Sequence, residues 1–270
     1  MGYLLAALLG GFFVFNSQAT PQRAERAIEK VLVKQFSGAT VDAEVEGKKG
    51  RDVLKGRFRR VKLSLSNFNL EGAGLGVQAV PSAKSLGRIG RFEMSLRDFA
   101  FGGARVGTLD MGFDSATFDW KALKNQSELK LVSCGPGTAR ASVGAAALEP
   151  LLKARLKDVQ DMKLSIASGN RVRVSGTRPA PVINVPVSFE VAGRLEVRNG
   201  REIWLADPTA TMGGMALAAP LTKAALGSVN PLYVFDPENK SPFAIQITEL
   251  KTGAGSVEIA TNLTFKPVKP

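Results

Sequence analysis

The sequence predicts an α+β fold built on an antiparallel sheet. Three observations lead there. Most of the chain alternates apolar and polar residues with a period of two, in runs of a few residues bounded by Gly, Asn, Asp or Ser. Helical spacing appears in only three places, and the connections between strands are short. A parallel sheet would need a crossover helix between each pair of strands, and three helices are too few for that.

Taken in order, residues Thr20 to Gly38 open the folded part with an amphipathic helix. Thr20 stands at its N-cap, Pro21 at the first helical position and Gly38 at its stop. Ala24, Ala27, Ile28, Val31, Leu32 and Phe36 fall on one face. Strands follow. Val41, Ala43 and Val45 alternate with Asp42, Glu44 and Glu46, the segment from Gly47 to Arg51 turns the chain, and a basic strand runs from about Gly56 to Leu70. Further alternation covers Arg91 to Phe101 and, less cleanly, Val106 to Trp120. A second helix is expected from Ser142 to Val159, begun or kinked by Pro150. Strands resume at Met162–Ile166, Arg171–Ser175, Val182–Val197 and Glu202–Leu205, the last two joined by an Asn199-Gly200 hairpin turn. A short third helix is expected from Leu217 to Leu226. Ala244–Leu250 and Ser256–Phe265 read as a closing hairpin. No Ser/Pro linker divides the chain, so residues 20–270 are read as one domain in which a helix and a strand meander occur twice.

Residues 1–19 stand apart. Gly2 to Phe15 form an uncharged apolar run, about the length of a signal-peptide core and short for a bilayer span. Ser17-Gln18-Ala19 places small residues where a signal peptidase reads, so the segment is expected to be a signal peptide, or a short N-terminal anchor if it is kept. Export to a periplasm or cell envelope is the corresponding localisation. The 44% of hydrophobic residues argues for a packed globule. A net charge of +12 predicts attraction to polyanions, either nucleic acid or an anionic membrane.

The residue inventory excludes several chemistries. The chain has no His, which rules out His-based triads and His-containing zinc sites, and its one Cys rules out an internal disulfide. Gly72-Ala73-Gly74-Leu75-Gly76 precedes no helix and therefore lacks the N-terminal amides that a phosphate cradle needs. Leu131-Val132-Ser133-Cys134 imitates a lipoprotein box but lies in mid-chain. Asp110, Asp114 and Asp119 alternate with apolar neighbours as a solvated strand face does. No G-x-S-x-G elbow or carboxylate cluster accompanies them, so no catalytic residue, metal or cofactor is assigned.

The basic stretch carries the functional question. Eight of the sixteen residues from Gly47 to Lys62 are Lys or Arg, yet Val61, Leu63 and Leu65 alternate with Lys62, Ser64 and Ser66, so it is a strand. Nucleic-acid recognition would want exposed aromatics among the charges, and Phe58 and Phe68 form no such platform. A charge-blunted sheet edge is the plain structural alternative.

The order of AERAIEKVL, GRFRRVKLSLSNFNLEG, FDWKAL, LEPLLKARL and ITELKTGAGSVEIATNL resembles the LmeA-like phospholipid-binding family of bacteria over most of Pro21 to Phe265. The resemblance implies a relative of the tubular lipid-binding architecture, a strongly twisted antiparallel sheet wrapped around a long helix and enclosing an apolar channel. It also implies envelope localisation and phospholipid binding without catalysis. The Pro- and Val-rich region from Pro179 to Pro186 departs from the family pattern.

The residues themselves then divide into two expected sets. Lys48, Lys49, Arg51, Arg57, Arg59, Arg60 and Lys62 are expected to face a phospholipid headgroup or an anionic membrane surface, Arg offering a bidentate fork for phosphate. Ile28, Val31, Leu32, Val61, Leu63, Leu65, Phe92, Met94 and Leu96 are expected to line the channel. The competing readings are a membrane-anchored interaction module without lipid and an envelope enzyme acting on lipid or glycan. The lipid, the oligomeric state and any transfer direction are not specified by the residues.

Overall fold

The computed structural model describes residues 20–268 apart from 37, 48–51, 54, 71–76, 102–103, 127–128, 157–158, 180–184, 221, 223–229, 236–241 and 254. The N-terminal segment, the glycine loop at 72–76 and most of the expected third helix lie outside the described residues. Of that helix, Ala219, Pro220 and Thr222 are helical.

The chain forms helix α1 (Pro21–Gln35), then β1 (Thr40–Glu46) and β2 (Arg57–Ser66). Next come β3 (Val77–Ala79), β4 (Leu86–Phe101), β5 (Ala104–Phe113), β6 (Ala116–Asp119) and a seven-residue α2 (Trp120–Gln126). After these follow β7 (Leu129–Cys134), β8 (Gly137–Gly144) and α3 (Ala145–Arg155). The strands β9 (Gln160–Ala167), β10 (Arg171–Pro179), β11 (Pro186–Arg198), β12 (Glu202–Met212), β13 (Met215–Ala216) and β14 (Tyr233–Val234) build a separate six-stranded sheet. The closing hairpin, β15 (Phe243–Gly253) and β16 (Ser256–Phe265), returns to the first sheet, which has ten strands.

The first sheet forks at β4. One edge of β4 accepts β2 in parallel. The other edge is used twice, by β6 against Leu86–Ile89 and by β5 against Phe92–Phe101. One branch continues β5, β8, β16, β15 and the other β6, β7, β3. The fork sits at Gly90, where a Cβ would come within 2.6 Å of the Arg59 carbonyl oxygen, so only glycine admits this approach of β2. The branches bend toward one another, and Phe113, Phe118, Leu131 and Phe243 line a shared cavity of about 20 Å³.

Helix α1 docks on the free edge of β1 in two ways. Ala24, Ile28, Leu32 and Phe36 recur every fourth residue and are at most 3% exposed. Glu25 and Glu29, on adjacent turns, accept hydrogen bonds from the backbone N–H groups of Val45 (2.9 Å) and Ala43 (3.4 Å). One helical turn rises about 5.4 Å and two strand residues about 6.8 Å, so the spacings match closely enough to cover two edge donors. Unpaired edge amides are otherwise a template for association.

Two packed cores result. The larger joins α1 to β1, β2, β4, β6 and β7. The smaller joins Ile166, Leu195, Ile203 and Leu205 of the second sheet to Ile247, Leu250 and Val257 of the closing hairpin. Polar contacts tie the sheets at the same place. Asn170, at φ +60, donates to the Leu250 carbonyl (3.2 Å) and accepts from the Thr252 N–H (3.1 Å), and the Thr252 hydroxyl donates to the Ala167 carbonyl.

Several expectations are corrected. The sheet is mixed: β2–β4 and β3–β7 are parallel pairs. The crossover between β2 and β4 carries β3, and among its described residues there is no helix. The first helix is 15 residues, short of the long helix expected. The second is Ala145–Arg155, since Ser142 to Gly144 stay paired with β16, and Pro150 lies inside it. The alternation from Val106 to Trp120 is two strands, and Trp120 opens α2, with Asp119 accepting from the N–H groups of Lys121 (2.9 Å) and Ala122 (3.0 Å) as its cap. The Asn199-Gly200 turn has φ of +53 and +64, but Arg198 pairs with Glu202, so the loop holds three residues, Asn199 to Arg201, instead of two.

Replacing Glu25 and Glu29 by Ala is expected to lower stability by about 1–3 kcal/mol in urea unfolding, and Gln at both positions by less, because the amide oxygen still accepts. Equal stability of all three proteins would show that the apolar stripe alone docks the helix.

Candidate functional site

Antiparallel register places direct partners on the same face, so the apolar face of the first sheet can be read row by row. One row is Phe92, Phe113, Gly137, Leu263 and Ile245; the next is Met94, Met111, Ala139, Thr261 and Ile247; a third is Leu96, Leu109, Ala141, Ile259 and Leu250. Each crosses β4, β5, β8, β16 and β15, a width of about 19 Å at the usual strand spacing. Both ends of these rows are mostly covered: Phe92, Met94 and Leu96 belong to the larger core, and Ile247 and Leu250 to the smaller. Between them Leu109, Met111, Ala139, Ala141 and Ile259 are only half-buried. Ala139 and Ala141 supply little bulk, so this middle strip, the trough of the face, is less fully buried than its ends, although Leu109, Met111 and Ala139 pack against the larger core and Ile259 against the smaller. Helix α3, emerging from β8 at Gly144, packs against β5, β8 and β9 beside it. Its Glu149 accepts from the Leu164 N–H of β9 (3.0 Å), which covers an edge donor as Glu25 does at the other end.

The nine residues expected to line a channel are placed differently. Ile28, Leu32, Val61, Leu63, Leu65, Phe92, Met94 and Leu96 pack on one another between α1 and the sheet and are at most 2% exposed. The side chain of Val31 is outside the described residues. The cavity bordering this cluster holds about 20 Å³, room for a water molecule but not for an acyl chain. These side chains are filling material, because α1 lies directly on the strands. Cys134, at the wall of that cavity, has its thiol pushed up to about 12 by burial, so it is no nucleophile near neutrality.

The basic set also divides. Lys48, Lys49 and Arg51 lie outside the described residues. Arg60 is taken up by carboxylates: it donates to Glu93 through two nitrogens and lies 3.6 Å from Glu46. Lys62 is paired with Glu44 at 2.7 Å. The hydrogen bond from Arg60 holds the Glu93 carboxyl below the usual carboxylate range, helped by Arg91 and opposed by desolvation. The lowered value means that this group stabilises the fold above the ordinary glutamate pKa, a contribution lost as pH falls through the folded-state value. Arg60 and Lys62 thus belong to a charge-paired strand face, where Arg97 pairs with Asp110 as well.

Arg57 and Arg59 are different. Both are exposed and without an ion pair among the described residues. Arg57 lies in register with Arg88 of β4, also exposed, and Lys55 stands at the preceding turn. Leu86 is 44% exposed on the same strand end. This end of the sheet therefore presents cations around an apolar side chain. Sequence reasoning found Arg57 and Arg59 but missed Arg88, which joins them only through the parallel β2–β4 register. Among the described residues no cluster of His, Cys, Asp or Glu could hold a metal ion.

A forked, strand-rich sheet with a partly covered apolar face and a cationic end on β2 and β4 is the framework of this molecule. The model of the LmeA-like phospholipid-binding family matches residues 86–262, from the first residue of β4 into β16, and the chain belongs to that family. No curated protein and no solved structure matches it. The matched span contains the whole trough and Arg88 but excludes α1, β1 and β2.

Replacing Arg57, Arg59 and Arg88 together by Glu is expected to weaken binding to anionic vesicles at least 100-fold in a flotation or sedimentation assay, at about 1 kcal/mol per basic residue near the surface. Lys62→Gln should change it less than threefold, because Glu44 already holds that charge. Equal effects of the two changes would show that net charge alone is at work.

Proposed function

We propose that this protein is a carrier of phospholipid in the bacterial cell envelope, with acyl chains lying along the trough over Ala139 and Ala141 and α3 alongside. The observation that carries the reading is the patch of half-buried apolar side chains from two adjacent rows, Leu109, Met111, Ala141 and Ile259, inside the span matched by the phospholipid-binding family. The cationic end at Arg57, Arg59 and Arg88 meets the anionic membrane, and the exported N-terminus delivers the protein to the compartment where such a surface is found.

The energetics favour exchange over storage. Each methylene moved from water into the trough gains about 0.8 kcal/mol, but the same methylene gains almost nothing on leaving a bilayer, where it was already dry. Affinity for lipid in a membrane then rests on the headgroup and on how well the trough excludes water. A shallow trough releases a chain more readily than a closed tunnel, which suits transfer between membranes.

Solvent extraction of the purified protein followed by lipid mass spectrometry tests this. The expected result is phospholipid near one equivalent, falling at least tenfold when Ala139→Phe and Ala141→Phe fill the trough while the melting temperature stays within a few degrees. An empty protein that takes up no phospholipid from vesicles, or undiminished lipid in the filled variant, would overturn the assignment.

A further inference from the structure

The outer face of the second sheet carries a second feature, independent of the trough. Arg171 and Arg173 on β10 and Arg194 on β11 stand around a concavity of about 660 Å³ whose outer-face lining also includes Ala167, Ala192, Thr209 and the carboxylate of Asp207. Its size falls within the range of small-molecule sites. Register explains how three arginines from separate stretches converge. Arg171 is the direct cross-strand partner of Arg194, and Arg173 is the direct partner of Ala192 and lies one pleat away on the same face. Lys163 lies on this face too, through the pairing of Lys163 with Ser175.

Such an arrangement is unfavourable without a counter-charge. Like charges directly opposite on paired strands are destabilising, their Cβ atoms being about 5 Å apart. The available carboxylates compensate weakly. Glu190 lies 3.5 Å from Arg173 and Asp207 lies 3.4 Å from Arg194, long contacts on exposed side chains, with Asp207 82% exposed. Exposed pairs of this kind contribute little. Arg171 has no ion pair among the described residues. Some strand-face cations of the first sheet are matched more closely, as Lys62 is by Glu44 and Arg97 by Asp110. Here three forks are gathered around small side chains that leave room for a ligand.

We infer that this concavity binds a phosphate-bearing anion, held by the guanidinium groups of Arg171, Arg173 and Arg194. Guanidinium presents paired donors that match two oxygens of a phosphate, and the small side chains of Ala167 and Ala192 let the anion approach the strands. The apolar side chains of β9 to β12 point to the opposite face, into the smaller core, so the site is separate from the acyl trough. The phosphate can come from a lipid headgroup at a membrane surface or from a free phosphorylated molecule, and the chemistry of recognition is the same.

The test uses the full chain carrying Arg57→Glu, Arg59→Glu and Arg88→Glu, so that the other basic surface contributes nothing. Inorganic phosphate is the soluble probe, read by thermal shift and calorimetry. Phosphatidylcholine vesicles with and without phosphatidic acid are the membrane probe. The expected result is that Arg171→Gln, Arg173→Gln and Arg194→Gln together weaken binding of at least one probe tenfold or more and abolish any phosphate-dependent rise in melting temperature. Arg105→Gln, an exposed arginine of the first sheet, should have no effect. Loss with inorganic phosphate identifies a free phosphorylated ligand, and loss with phosphatidic acid vesicles alone identifies a headgroup. The inference is overturned if neither probe separates the triple variant from its parent, or if Arg105→Gln weakens binding as much. Extractable lipid is measured in the same proteins: a failure here with lipid retained leaves the trough assignment standing, and an empty protein with phosphate binding intact does the reverse.

Discussion

The structure depends on one mismatch, between a broad apolar sheet face and the little helix available to cover it. Five strands, from β4 to β15, present continuous apolar rows. Helix α1, at 15 residues, is about 22 Å long and lies over the β1–β2 side. Helix α3, at 11 residues, is shorter still and comes in from the other side. The second sheet covers the closing hairpin from Ile247 to its turn. Burying a sheet face requires a second layer, and here that layer is complete at both ends and thin between them. Ala139 and Ala141 sit at the thin point, where larger side chains would have filled the gap themselves.

The distribution of charge follows from the same geometry. Polar positions on the outer face of the first sheet are close enough to pair across strands, so Arg60, Lys62 and Arg97 are matched by Glu93, Glu44 and Asp110. Among the described residues, cations with no ion pair include those where the register runs out or repeats a sign, at the Arg57–Arg88 end of the first sheet and at Arg171 in the second, where Arg173 and Arg194 have only long contacts to Glu190 and Asp207. The excess of +12 is therefore concentrated in function more than in number: paired arginines shape the sheet, and unpaired ones are available to anions. A protein that meets a membrane through such groups is sensitive to salt, since exposed charges are screened within about 10 Å at 0.1 M.

Much of the fold was legible in the residues. Period-two alternation located most strands, the spacing of Ala24, Ile28, Leu32 and Phe36 located α1, and Asn199-Gly200 located its hairpin, because each of these signals is local. What stayed hidden depends on pairing between distant segments. The fork at Gly90 and the parallel β2–β4 pair cannot be read from either strand alone, and both decide which cations remain free. Arg60 and Lys62 looked like ligands because their carboxylate partners, Glu93 and Glu44, are brought alongside only by register. The trough went unseen for the opposite reason: Ala139 and Ala141 are small and carry no signal until Leu109, Met111 and Ile259 are placed beside them. The long helix was an expectation from family resemblance, and the chain between Thr20 and Gly38 is too short to supply it.

The most direct test of the account is where an acyl chain touches the protein. Protein loaded with a phospholipid carrying a diazirine near the end of one acyl chain can be irradiated, digested and mapped by mass spectrometry. Adducts concentrated on peptides containing Leu109, Met111, Ala139, Ala141 and Ile259, with few on α1, are the predicted result. Adducts concentrated on Ile28, Leu32, Val61 and Leu63 would mean that α1 parts from the sheet to admit lipid, and the account built on the trough would be wrong.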